Sequence, residues 1–155
     1  MTLEGSLALA ELAEDNLRNL GLHNAQVVAG QFWDGLKKIF GDNKPIDYVF
    51  IDGHHNKEAT LFYFNSLVPH LSGRALVILD DISWSEGMRS AWNEITRNNM
   101  IKITLDLGAM GICIFDDRLQ NKVFLRMPLD WAVKDKMFFE DDETVNACRP
   151  KEGSW

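Results

Sequence analysis

The sequence predicts an α/β domain built on a mostly parallel sheet with antiparallel strands at its C-terminal edge. Three observations predict it. Apolar runs alternate with helical patterns as far as Ile95, Ile46–Ile51 (but for Asp47) and Ala75–Leu79 are apolar at consecutive positions, and both of those runs are followed by acid. A strand apolar on both faces needs cover on both, which is the situation of a parallel sheet between helices.

Each element has its own signal. Leu9, Leu12, Ala13, Leu17 and Leu20 recur at helical spacing, with Glu11, Glu14, Asp15 and Arg18 on the other side, and Gly21 stops the helix. "AQVVAG" is a short strand, and "FWDGLKKIF" places Phe32, Trp33, Leu36, Ile39 and Phe40 along one side of a short helix. After the loop "GDNKP" comes the strand Ile46–Ile51. Asn56 caps the next helix, because its side-chain oxygen accepts a hydrogen bond from a first-turn amide. That helix runs to about Leu71 with a kink or stop at Pro69. Strand Ala75–Leu79 follows, then a helix capped by Ser83 or Ser85 that carries Met88, Ala91, Trp92 and Ile95. "IKITLDLG", "GICIFDD" and "KVFLRM" are closely spaced strands with no helix between them, hence the antiparallel edge.

Length and charge narrow the function. The 155 residues suit one domain and can bury a real core, and 46% apolar with 25% charged is the balance of a globular protein. With a net charge of −7 and no basic cluster longer than Lys37–Lys38, nucleic acid is not an expected partner. No apolar run approaches the roughly 20 residues that cross a bilayer, and the amino terminus lacks the plan of a signal peptide. Cys113 and Cys148 have neither disulfide-framework nor zinc spacing, which points to a reducing cytoplasm. The expected division is a domain over residues 1–127 and a polar, aromatic tail over 128–155.

The acids at the strand ends carry the chemistry. Ligands of open α/β sheets bind beyond the carboxyl ends of the strands. Asp52 follows Ile51, and Asp80 with Asp81 follow Leu79, so neighbouring strands would bring three carboxylates together. Such a cluster needs a compensating cation or base, and magnesium or calcium takes oxygen ligands. Aspartate also ends strands simply by capping a turn. His54 and His55 stand beside Asp52, where an imidazole can act as a general base or merely bond to backbone. The residues alone do not say which histidine faces the crevice.

"TLEGSLALAELAEDNLRNLGL", "VVAGQFWDGL", "IDYVFIDGHHNKEAT", "LVILDDISWSEGMRSAW" and "ITLDLGAMGICIF" together resemble, in order, the class I methyltransferases that use S-adenosylmethionine. The resemblance is to the O-methyltransferase-like branch with an "IDGxH" motif, spans Thr2 to Phe115, and implies a Rossmann-like methyltransferase sheet. It implies that Glu4 holds the ribose hydroxyls of S-adenosylmethionine, that Gly30, Gln31 and Phe32 contact the adenine, and that Asp52 belongs to the same cofactor site. It places Asp52, Asp80 and Asp81 at a site for Mg2+ or another divalent cation, with Asp81 where catechol-type enzymes carry asparagine. It makes His55, with Asp52, the catalytic pair, His55 standing where those enzymes have a lysine base, and sets Trp84 at the wall of the acceptor pocket, although a lone tryptophan is more often core packing.

The family's first strand and glycine-rich turn would precede Thr2, so the sheet is expected to be N-terminally incomplete; "GAMG" at Gly108–Gly111 lies between late strands and does not replace the turn. Two functions follow. One is methyl transfer to an oxygen of a small molecule, with or without metal. The other is a truncated or degenerate methyltransferase-like domain that acts through a partner, its own copy or a completing N-terminal segment. A phosphoacceptor receiver is a third reading, but its acidic pair would come before the second aspartate, and the order here is reversed.

Overall fold

The computed structural model describes residues 1–127; Trp131, Phe138, Phe139 and Cys148, and with them the expected tail, lie outside the described residues. The chain divides into two compact units, Met1–Ile46 and Asp47–Trp155.

In the first unit, β1 (Thr2–Glu4) pairs in parallel with β2 (Val27–Ala29), in a sheet of two strands. Helix α1 (Leu7–Asn19) lies between them in sequence, capped by Ser6, whose hydroxyl accepts from the Leu9 amide at 3.4 Å. Gly21 takes φ +69° and turns the chain out of the helix, as expected. The apolar stripe of α1 behaves differently from the expectation. Ala10 is its buried residue, while Leu9, Leu12 and Leu20 are more than half exposed. Two three-residue strands offer too little surface to cover a stripe four turns long. Helix α2 (Phe32–Gly41) buries Gly35 and Leu36.

The second unit holds a five-stranded sheet in the order β3-β4-β6-β5-β7, made of β3 (Ile46–Ile51), β4 (Leu71–Leu79), β5 (Ile101–Asp106), β6 (Gly111–Asp116) and β7 (Val123–Arg126). Strand β6 runs antiparallel to both β4 and β5, whereas β7 is parallel to β5. The parallel β7 departs from the expected run of antiparallel strands. Both sides of β6 are already taken, so the chain leaving it reaches the next free edge, that of β5, travelling in β5's own direction.

Helix α3 (Lys57–Leu67) is capped by Asn56, which accepts from the Ala59 amide at 2.9 Å, and it gives way at Pro69 to a 3-10 turn, Val68–His70. Strand β4 begins at Leu71, four residues before the expected Ala75. Ser85, not Ser83, caps α4 (Glu86–Ile95), accepting from the Met88 amide at 3.1 Å. The core joins Phe64, Trp92 and Ile95 from the helices to Ala75, Val77 and Leu79 of β4, Ile101 of β5, and Cys113 and Phe115 of β6. Val49 and Ile51 pack against it, while Tyr48 and Phe50 on the other face of β3 remain exposed. Among the described residues no helix is long and apolar enough to cross a membrane.

Candidate functional site

Strands β3 and β4 are neighbours, and the Asp80 amide donates to the Ile51 carbonyl at 3.0 Å. Their carboxyl ends therefore meet at one edge, and Asp52, Asp80 and Asp81 leave the sheet together. Immediately beyond, the chain twists sharply at two places. His54 and Asp81 adopt left-handed φ values of +59° and +53°, a conformation uncommon for non-glycine residues and costly unless the surroundings hold it.

The twist at His54 sorts the two histidines. The His54 ring turns to Tyr63, its Nδ1 sharing a hydrogen bond with the phenol oxygen at 3.1 Å. The His55 ring turns the other way and stands between two acids, with Nδ1 3.4 Å from Asp81 Oδ2 and Nε2 3.8 Å from Asp52 Oδ1. Trp84 lies beside it, ring centroids 6.0 Å apart, and is 64% exposed, so this tryptophan is a surface residue and not part of the core.

The three carboxylates do not share one point. Asp80 Oδ1 accepts from the neighbouring Asp81 amide at 2.9 Å, while Asp52 and Asp81 flank the imidazole. Burial holds the Asp81 carboxyl above its ordinary pKa; the Asp80 and Asp52 charges push the same way, and the His55 charge opposes them. Among the described residues no three His, Cys, Asp or Glu side chains are grouped as metal ligands would be. The arrangement fits an imidazole between two acids better than a three-carboxylate cradle for a cation.

Glu4, Gly30, Gln31 and Phe32 come together within the first unit, at the ends of β1 and β2. The Gly30 amide donates to the Glu4 carbonyl at 2.9 Å, and Gln31 precedes α2, whose first residue is Phe32. Glu4 Oε1 accepts from the Ser6 amide at 2.8 Å, which fixes the carboxylate. A side chain placed on Gly5 or Gly30 would meet nothing within 4 Å, so the space beside Glu4 is open. A fixed acceptor beside open space fits the ribose of a nucleoside-type cofactor.

Sequence reasoning missed a second cluster behind the acid loop. Asp106, at the end of β5, is 3% exposed, accepts from Arg89 Nη1 at 2.7 Å and Trp92 Nε1 at 3.3 Å, and takes the Gly108 amide at 3.0 Å. The signal was present in "ITLDLG", another apolar strand that ends in acid.

These features define a Rossmann-like α/β domain with an acid–imidazole cluster at the carboxyl ends of two neighbouring strands. Residues 4–82, half of the chain, match the profile of the methyltransferase domain, and the chain belongs to that family. No curated protein matches the sequence. Among solved structures, the O-methyltransferase from Bacillus cereus in complex with SAH is similar at 20% identity and TM-score 0.61, over 74% of this chain and 61% of that one. The O-methyltransferase TomG from Streptomyces achromogenes, involved in tomaymycin synthesis and solved with SAM, is similar at 19% identity and TM-score 0.62, over 74% and 60%. The chain thus spans about three-fifths of the length of the structures it matches.

Proposed function

We propose that this chain forms the acceptor-activating part of an S-adenosylmethionine-dependent methyltransferase that methylates an oxygen of a small molecule. The observation that carries the reading is His55 held between Asp52 and Asp81 at the joined ends of β3 and β4. The bound cofactor would supply an electrophilic methyl group. Glu4 would hold its ribose hydroxyls and Gly30–Phe32 its adenine.

His55 would accept the proton of the acceptor hydroxyl, while the cofactor's sulfur would leave as a neutral thioether when its methyl passes to that oxygen. Asp81, the nearer acid, faces Nδ1, which leaves Nε2 to take the proton; Asp52 then stabilises the resulting imidazolium. Trp84 gives the acceptor an apolar wall. Mg2+ or another divalent cation receives no step here, because Asp80 is turned to backbone and the imidazole stands between the other two acids.

Isothermal titration of S-adenosylhomocysteine into the 155-residue chain tests the cofactor part. Expected is weak binding, with Kd above about 10 μM, that Glu4→Ala weakens further. Absence of any heat at millimolar ligand, or a Glu4→Ala variant that binds as well as the parent, would overturn it.

A second reading has its own observation. Strand β3 is an edge of its sheet among the described residues, and its Tyr48 and Phe50 face is uncovered. An edge of this kind accepts another strand. On this reading the chain works in association with a completing segment or a second copy. Sedimentation equilibrium separates the two, since a monomer across the micromolar range leaves no copy on that edge.

A further inference from the structure

The left-handed turn at Asp81 does not hold itself. Asp81 is followed by Ile82, whose amide donates at 2.7 Å to the carbonyl of Ala109, in the hairpin tip joining β5 to β6. Ser83 donates its hydroxyl to the Gly108 carbonyl in the same tip. Arg89 of α4 reaches both partners through Nη2, donating to the Ser83 hydroxyl and, at 3.2 Å, to the Gly108 carbonyl. Its other nitrogen, Nη1, is fixed by Asp106. Asp106 also takes the Gly108 amide, and Trp92 covers its buried side. The acid loop is therefore linked to one buried carboxylate through Arg89 and the hairpin tip.

A buried ion pair stabilises a fold little more than apolar side chains of similar size would, so its effect is better sought in the arrangement it enforces. A planar guanidinium can grip a carboxylate with one arm and a second group with the other; an ammonium cannot. Here the second arm ends on the loop that carries Asp81 and Trp84.

We propose that Asp106 is a positioning residue for the candidate site. Through Arg89 and the hairpin tip it fixes the turn after β4 and so sets Asp81 against the His55 ring. The effect on chemistry rests on the role given above to His55; the effect on the loop does not.

Arg89→Lys in the full chain is the test, because lysine keeps a positive partner for Asp106 and loses the second arm. Amide hydrogen exchange of Ile82 and Trp84 is expected to quicken by about tenfold or more, with Val77 and Cys113 in the core within about twofold of the parent. Protection of Ile82 and Trp84 equal to the parent's would show that Arg89 is only a charge partner and would overturn the proposal. Equal loosening of Val77 and Cys113 would overturn it too, as general destabilisation. If Arg89→Lys does not fold, Ser83→Ala, which removes only the bridging hydroxyl, is read by the same criteria. Where methyl transfer is measurable, kcat falls and KM for the cofactor is unchanged. Loosened Ile82 and Trp84 in a chain whose parent also lacks transfer would support the positioning role while the methyltransferase reading fails.

Discussion

Glycine-to-alanine changes in strands ordinarily stabilise, by about 0.5–1 kcal/mol, because the unfolded chain loses freedom. Gly111→Ala should do the opposite. A Cβ at Gly111 would lie 2.5, 2.6 and 2.8 Å from Cζ3, Cη2 and Cε3 of Trp92. Comfortable carbon contacts are about 3.5–4.0 Å, so the indole must retreat by roughly 1 Å. It has nowhere to go. Trp92 is 1% exposed and is anchored by its Nε1–H bond to Asp106, and Gly111 is pinned on one side by Asp106 and on the other by Leu79. Overpacking costs about 1–3 kcal/mol, and weakening a hydrogen bond to a charged group adds to it, so a net loss of about 2–3 kcal/mol is expected. Urea unfolding followed by far-ultraviolet circular dichroism should show the midpoint falling by about 1 M, taking a slope of ~2 kcal/mol per M. Because the shorter ring of Trp92→Phe reaches less far, the alanine penalty in that background should shrink below about 1 kcal/mol. A midpoint that stays or rises, or an equal penalty beside phenylalanine, would refute the clash.

Other outcomes follow from single groups. Thr104 Oγ1 is, among the described residues, the buried side-chain polar atom without a hydrogen-bond partner, so Thr104→Val should raise stability by about 1 kcal/mol, checked by thermal melting. Burial pushes the Cys113 thiol up to about 12; iodoacetamide at pH 8 should leave it unlabelled in the native chain and label it in denaturant, with peptide mass spectrometry locating the adduct. Asp81, raised first by burial and then by Asp80, gives a contribution that is present below the ordinary carboxylate range and lost as pH rises through its folded pKa. Asp81→Asn, which tolerates the left-handed φ, should therefore melt higher than the parent at pH 7, with the gap closing at pH 3.

Much of the second unit could be read from sequence because its signals are one-dimensional. The apolar run Ile46–Ile51 and the Asn56 and Ser85 caps depend on neighbours along the chain, and they appear where the pattern put them. The acids at the strand ends were visible for the same reason. What they do was less visible, because rotamers and backbone twists decide it. Only the left-handed turns at His54 and Asp81 send one histidine to Tyr63, set the other between two acids, and leave Asp80 facing backbone. Periodicity placed α1 correctly but not its burial, since Leu9 and Leu12 report a helix whether or not anything lies opposite them. Asp106 was passed over because its partners Arg89 and Trp92 belong to another element, and that contact exists only after folding.

The half-covered strand β3 has a practical consequence. Its segment "IDYVFI" has the β-propensity and apolarity of a self-associating peptide, with Tyr48 and Phe50 turned outward. Asp47 and Asp52 supply the negative charge that keeps such a run soluble. Replacing Asp52 by asparagine to probe proton transfer therefore also removes a safeguard against aggregation. A kinetic comparison with that variant needs a light-scattering measurement at the assay concentration beside it.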